Sequence, residues 1–156
     1  MIQTVIQIAI EAGDAILEIY KQDIVVETKS DNSPLTIADK NANEIIVAGL
    51  KKLDSSIPVI SEENKLTDYA ERSKWTSCWI VDPLDGTKEF IKKNGEFTVN
   101  IALVENGVPV LGVVHVPAQN VTYYAEKDKG SFKIENGITQ QLHIRKLAED
   151  GILKIV

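Results

Sequence analysis

Apolar residues recur at helical spacing along the first twenty positions. Ile2, Val5, Ile6, Ala9, Ala12, Gly13, Ile16, Leu17 and Tyr20 fall on one stripe, and Gln, Glu and Asp break the run between them. That pattern predicts an amphipathic core helix over residues 2–21. The polar stretch "ETKSDNSPL" is rich in turn formers and reads as a loop or hairpin. A second helix is predicted from near Thr36, with Ala42, Ile45, Ile46, Gly49, Leu50 and Leu53 inward. "DSSIPVISEEN" then gives a turn, a short strand and a loop, and "TDYAERSKW" a short helix.

Beyond residue 77 the period changes. "CWIVD", "EFTVNIALVE", "VPVLGVVHV", "NVTYYAE", "GSFKIE" and "TQQLHI" are apolar or alternating runs rich in Val, Ile, Tyr and Phe. They are separated by "NG", "PAQN", "KDKG" and "NG", which is hairpin and turn chemistry. Two helices followed by a meander predict an α+β fold, with layered helices covering one face of a largely antiparallel sheet. The final "ILKIV" reads either as a short edge strand or as the point where a second domain would begin.

Composition narrows the function. A chain of 156 residues with 44% apolar and 26% charged residues can build one domain with a core. No apolar run approaches a membrane span, and no leader pattern is present, so a cytoplasmic location is expected, with peripheral membrane association left open. The single cysteine, Cys78, rules out an internal disulfide and a cysteine metal cluster, and reads as a small buried residue. A net charge of −6 disfavours a nucleic-acid polymer as partner, but not a small anion where local charge is reversed.

The candidate chemistry lies in "WIVDPLDGTKEF", residues 79–90. An apolar strand delivers Asp82 at its end, Pro83 fixes the backbone, and a turn would let Asp85 and the Leu84 carbonyl face the same space. Such hard oxygen donors suit magnesium. Gly86 and Thr87 follow where "GTKEFI" reads as the start of a helical turn, whose free N–H groups can hold phosphate oxygens. A bare Asp-Pro-x-Asp-Gly is as readily a surface turn; the strand before it and the threonine after it favour a site. "IPVISEEN" ends a second apolar strand with Glu62 and Glu63, one of which could join the aspartates. Asp39, in "LTIAD", lies in the first turn of the second helix, where acids are also common for electrostatic reasons alone.

Two rival chemistries fail. A haloacid-dehalogenase-type phosphatase needs a nucleophilic aspartate where this chain has Pro83, and the ligand spacing of an EF-hand is out of register. His115 and His143 have no partner spacing for a metal.

At "SPLTIADKNANEII", "PVISEE", "WIVDPLDGTKEF" and "FTVNIALVENGVPVLGVVHVPA" the sequence resembles the inositol-monophosphatase superfamily of magnesium-dependent, lithium-sensitive phosphatases. "DPLDGTKEF" followed by "GEFTVNIAL" looks most like the 3'(2'),5'-bisphosphate nucleotidases, which remove a phosphate from adenosine 3',5'-bisphosphate, a by-product of sulfate assimilation. The resemblance implies the N-terminal domain of the sugar-phosphatase fold. By matching position, Glu62, Asp82, the Leu84 carbonyl and Asp85 would hold two or more magnesium ions (Mg2+), with lithium inhibitory. Asp39 and Thr87 would orient and deprotonate the attacking water. Glu62, Leu84, Asp85, Gly86 and Thr87 would line the substrate, and Lys29 would approach it from the preceding loop.

Relatives carry a second domain with a Trp-Asp motif whose aspartate completes the metal site, and no Trp-Asp pair occurs here. Residues 1–156 are therefore expected to be the N-terminal metal-binding catalytic domain, with the C-terminal domain absent and activity impaired. The partner would be a small phosphorylated metabolite. An uncovered domain junction would favour a homo-oligomer. An inositol or sugar monophosphate phosphatase, or an inactive self-associating metal-binding piece, remain the alternatives.

Overall fold

The structure, a computed structural model, describes residues 1–22 and 34–144. Helix α1 spans Ile2–Tyr20 and α2 spans Pro34–Leu53. They are followed by β1 (Val59–Ser61), the short α3 (Tyr69–Arg72), β2 (Ser77–Asp85), the six-residue α4 (Thr87–Lys92) and β3 (Thr98–Glu105). The chain continues through β4 (Val108–Val116), a 3-10 turn (Pro117–Gln119), β5 (Val121–Glu126), β6 (Gly130–Glu135) and β7 (Ile138–Leu142). Among the described residues, no helix is long and apolar enough to cross a membrane.

The seven strands form one sheet in chain order; β1 and β2 are parallel and each later pair is antiparallel. The two Asn-Gly signals make the β3–β4 and β6–β7 hairpins. Asn106 and Gly107 have φ of 50° and 76°, Asn136 and Gly137 of 52° and 74°, the left-handed pair that a two-residue turn requires. The predicted layering is present: Trp79, Val81, Val99, Ile101, Leu103 and Val113 alternate onto the helix side and are buried.

The helices differ from expectation in detail. α2 begins at Pro34 rather than near Thr36, because proline is tolerated in a helix's first turn. α1 buries Ile8 and Ile19 in addition to its predicted stripe, since α2 packs beside it. Gly49 permits that approach: a Cβ there would lie 2.7 Å from Cγ1 of Ile8. His115 is a core residue, with Nδ1 2.9 Å from the Thr122 hydroxyl, and His143 is exposed after β7. Cys78, expected to be buried, is only half-buried, because it lies on the strand's other face from Trp79. The Lys29 loop and the terminal "ILKIV" lie outside the described residues.

Candidate metal centre

The parallel strand pair builds the site. In register, Ser61 lies beside Val81, so the residues leaving β1 arrive next to Asp82. The Glu62 amide extends the pairing by donating to the Val81 carbonyl at 3.3 Å. Both carboxyl-terminal strand ends therefore deliver acids to the same place, as an antiparallel pair could not.

The turn expected at Pro83–Leu84 is instead a bulge. β2 continues to Asp85, with Asp82 opposite Asn100 and Asp85 opposite Thr98. Three steps along β2 thus face two along β3. Residues three apart on a regular strand face opposite sides; the extra residue returns Asp85 to the side of Asp82. Pro83 and Leu84 bury their side chains and anchor the bulge. The Leu84 amide donates to the Asp82 carboxylate. Asn100 Nδ2 donates to Asp85 Oδ2 at 3.3 Å, and the Thr98 hydroxyl donates to Asn100 Oδ1 at 3.2 Å.

Gly86 ends the strand at φ 92°, and a Cβ there would meet the Glu96 carbonyl oxygen at 2.8 Å. Backbone conformation and space both demand glycine. α4 follows, with Thr87 exposed at its start and Phe90 buried against Tyr20 and Phe97, ring centroids 5.2 and 5.4 Å apart. That aromatic cluster ties α4 to the end of α1.

Asp39 enters from α2. Burial, then the charge of Glu63 and a hydrogen bond shared with it, push its carboxyl up to about 7, with Asp82 and Glu62 adding to the repulsion. Its Oδ1 is buried without a hydrogen-bond partner. Burial, then the charges of Asp85 and Glu62, push Asp82 up to about 6. Asp39, Glu62, Glu63, Asp82 and Asp85 are thus brought together. Among the described residues no three of them close on one point as a finished coordination shell. Thr87 stands at the start of α4, directly after the Asp85–Gly86 strand end.

Glu63 was not in the expected ligand set, although its place beside Glu62 was the signal. Asn100 could not be found at all from sequence, because its contact with Asp85 depends on the register of β3 against the bulge.

Two helices layered on a mostly antiparallel sheet, with acids gathered at the ends of its parallel pair, define a fold shared with solved inositol-monophosphatase structures. CysQ from Bacteroides thetaiotaomicron, described as a bacterial member of the inositol monophosphatase family, superposes with a TM-score of 0.78 at 53% identity, covering 86% of this chain and 48% of that one. An IMPase from Thermotoga maritima gives 0.72 at 30%, covering 90% and 52%. The chain belongs to the inositol monophosphatase family, whose sequence pattern matches residues 1–152. It is 50% identical over 147 residues to the 3'(2'),5'-bisphosphate nucleotidase CysQ of Salmonella typhimurium, covering 93% of this chain and 59% of that protein. To the protein of the same name from Buchnera aphidicola it is 44% identical, covering 99% and 58%. The chain thus spans somewhat over half the length of the curated relatives it matches.

Proposed function

We propose that this chain carries the metal-binding part of a magnesium-dependent phosphomonoesterase that removes the 3'-phosphate of adenosine 3',5'-bisphosphate, giving AMP and phosphate. The observation that carries it is the gathering of five carboxylates at one end of the β1–β2 pair, two of them, Asp39 and Asp82, pushed up toward neutrality by burial and by the charges of neighbouring acids. Names of relatives half identical to the chain support the substrate.

The donors fit a divalent cation. They are hard oxygens and mutually repelling, with Asp82 pushed up to about 6 by burial and the charges of Asp85 and Glu62, while beside them the Asp39 Oδ1 is buried and unpartnered. Glu62, Asp82, Asp85 and the Leu84 carbonyl would hold magnesium, with Glu63 beside them. Bound magnesium would supply positive charge that offsets the carboxylates, attracts a phosphate ester and acidifies water. Asp39 accepts the proton of the attacking water and the Thr87 hydroxyl orients that water. The Gly86–Thr87 backbone meets the phosphate, with Gly86 leaving no side chain in the way. On this reading residues 1–156 are the N-terminal domain of a longer enzyme.

The test is phosphate release from adenosine 3',5'-bisphosphate by this chain, with and without magnesium. Release that requires magnesium and drops at least about a hundredfold in Asp82→Asn is expected, the usual scale for losing a group that holds transition-state charge. Undiminished turnover in Asp82→Asn overturns the assignment, and faster release from inositol or sugar monophosphates moves the substrate class.

A further inference from the structure

The turn that carries both glutamates is held at its two ends by one side chain. Asn43 lies on α2 one turn after Asp39, in line with Ala42, Ile46 and Leu50, and is only 8% exposed. Its Oδ1 accepts a hydrogen bond from the Ser61 hydroxyl at 2.6 Å, and its Nδ2 donates to Asn64 Oδ1 at 3.1 Å. Ser61 is the last residue of β1, Asn64 closes the turn by donating its amide to the Ser61 carbonyl at 3.2 Å, and Glu62 and Glu63 lie between them. Ser61 itself is 2% exposed, so its hydroxyl has no water to replace Asn43.

We propose that Asn43 is a positioning residue for the acid cluster: by bracketing the Ser61–Asn64 turn from the helix that carries Asp39, it sets where Glu62 and Glu63 stand relative to Asp39. The inference deepens the cation-site reading above and rests on it. The physical need is plain. The turn bears two like charges facing a third, and repulsion would swing it outward unless something neutral and fixed holds both ends. An amide side chain accepts from one end of the turn through its oxygen and donates to the other through its nitrogen, which an ionised carboxylate, having no donor, cannot do.

Two measurements on the full chain test it. The first is amide exchange of Glu62 and Asn64 in the metal-free protein. Asn43→Ala should speed exchange at both by about tenfold, the scale of a lost buried hydrogen bond, while amides of β3 keep their protection. Asn64→Ala, which removes the acceptor of the Asn43 amide, should speed it likewise. The second is calorimetric titration with magnesium chloride. Asn43→Ala should weaken magnesium roughly ten- to a hundredfold, as losing a group that orients a ligand does. A residue that only stabilised the fold would lower the melting temperature and leave that affinity unchanged.

Unchanged exchange at Glu62 and Asn64 overturns the clamp, whatever the metal result. Faster exchange with unchanged magnesium affinity overturns the positioning role. A wild-type chain that takes up no magnesium overturns the cation reading and the role that depends on it, while the exchange result still decides whether the clamp exists. Ser61→Ala removes only one of the two bonds and serves if Asn43→Ala does not fold.

Discussion

Asp39 is half-buried beside Glu63, with its Oδ1 fully enclosed and unpartnered, and its proton affinity follows from that placement. Carboxyls pushed up to about 7 and about 6, against an ordinary value of 3.8, bind protons in the folded state at pH values where the unfolded chain has released them. Stability of the metal-free chain should therefore rise as pH falls through that range and be lowest above about 7. His115 acts in the opposite sense, because burial depresses its pKa from 6.5 and the unfolded chain then gains protons more readily at low pH. The gain is best sought between pH 8 and about 6.5, below which His115 begins to offset it. Thermal melts in EDTA should show a rising melting temperature over that interval, with Asp39→Asn more stable than wild type at pH 8 and less sensitive to pH. A flat or inverted wild-type profile would remove the electrostatic basis of the site. Gly86 makes a second residue-scale prediction. Gly86→Ala combines an unfavourable φ with a contact at 2.8 Å to the Glu96 carbonyl, and should cost about 1–3 kcal/mol in denaturant unfolding.

Between elements, the decisive contacts are the crossing of α1 with α2 and the bulge in β2. Gly49→Ala places a methyl 2.7 Å from an Ile8 carbon and should destabilise by about 1–3 kcal/mol through overpacking, read from the chemical denaturation midpoint. Ile8→Val, which removes a terminal methyl group from the contact side chain, should recover part of that loss in the double variant. At this scale the periodicity of the sequence is a good guide. Both long helices, the short ones and the hairpins with Asn-Gly turns follow from local spacing and turn chemistry. The bulge does not, since "WIVDPLDG" is compatible both with a turn after Asp82 and with a strand that runs on to Asp85. Pairing with Asn100 and Thr98 selects the second.

Among the described residues, one face of the sheet is covered by helices and the other presents apolar side chains. Ile80, Val114 and Tyr123 are 46%, 39% and 39% exposed on that second side. Exposed apolar side chains on one sheet face favour association, so a homo-oligomer is the proposed state of this chain. Light scattering across a concentration series should give a mass above that of a 17.2 kDa monomer, and Tyr123→Lys should lower it. A monomer mass at every concentration would refute the association.

The sequence by itself determined the element types, the α+β layering and the acids worth suspecting, because helical and strand periods, Asn-Gly turns and the Asp-Pro-Leu-Asp-Gly-Thr run are all local properties. It also carried the family resemblance, which the match over residues 1–152 bears out. Only the tertiary structure decided how those acids meet. The parallel pairing of β1 with β2 brings Glu62 and Glu63 beside Asp82, the bulge turns Asp85 to the same side, and α2 presses Asp39 against Glu63. Each of these depends on the register between segments distant in the chain. Sequence spacing fixes which way a side chain points along its own element, but the distance between two elements is set by packing, and proton affinity follows that distance.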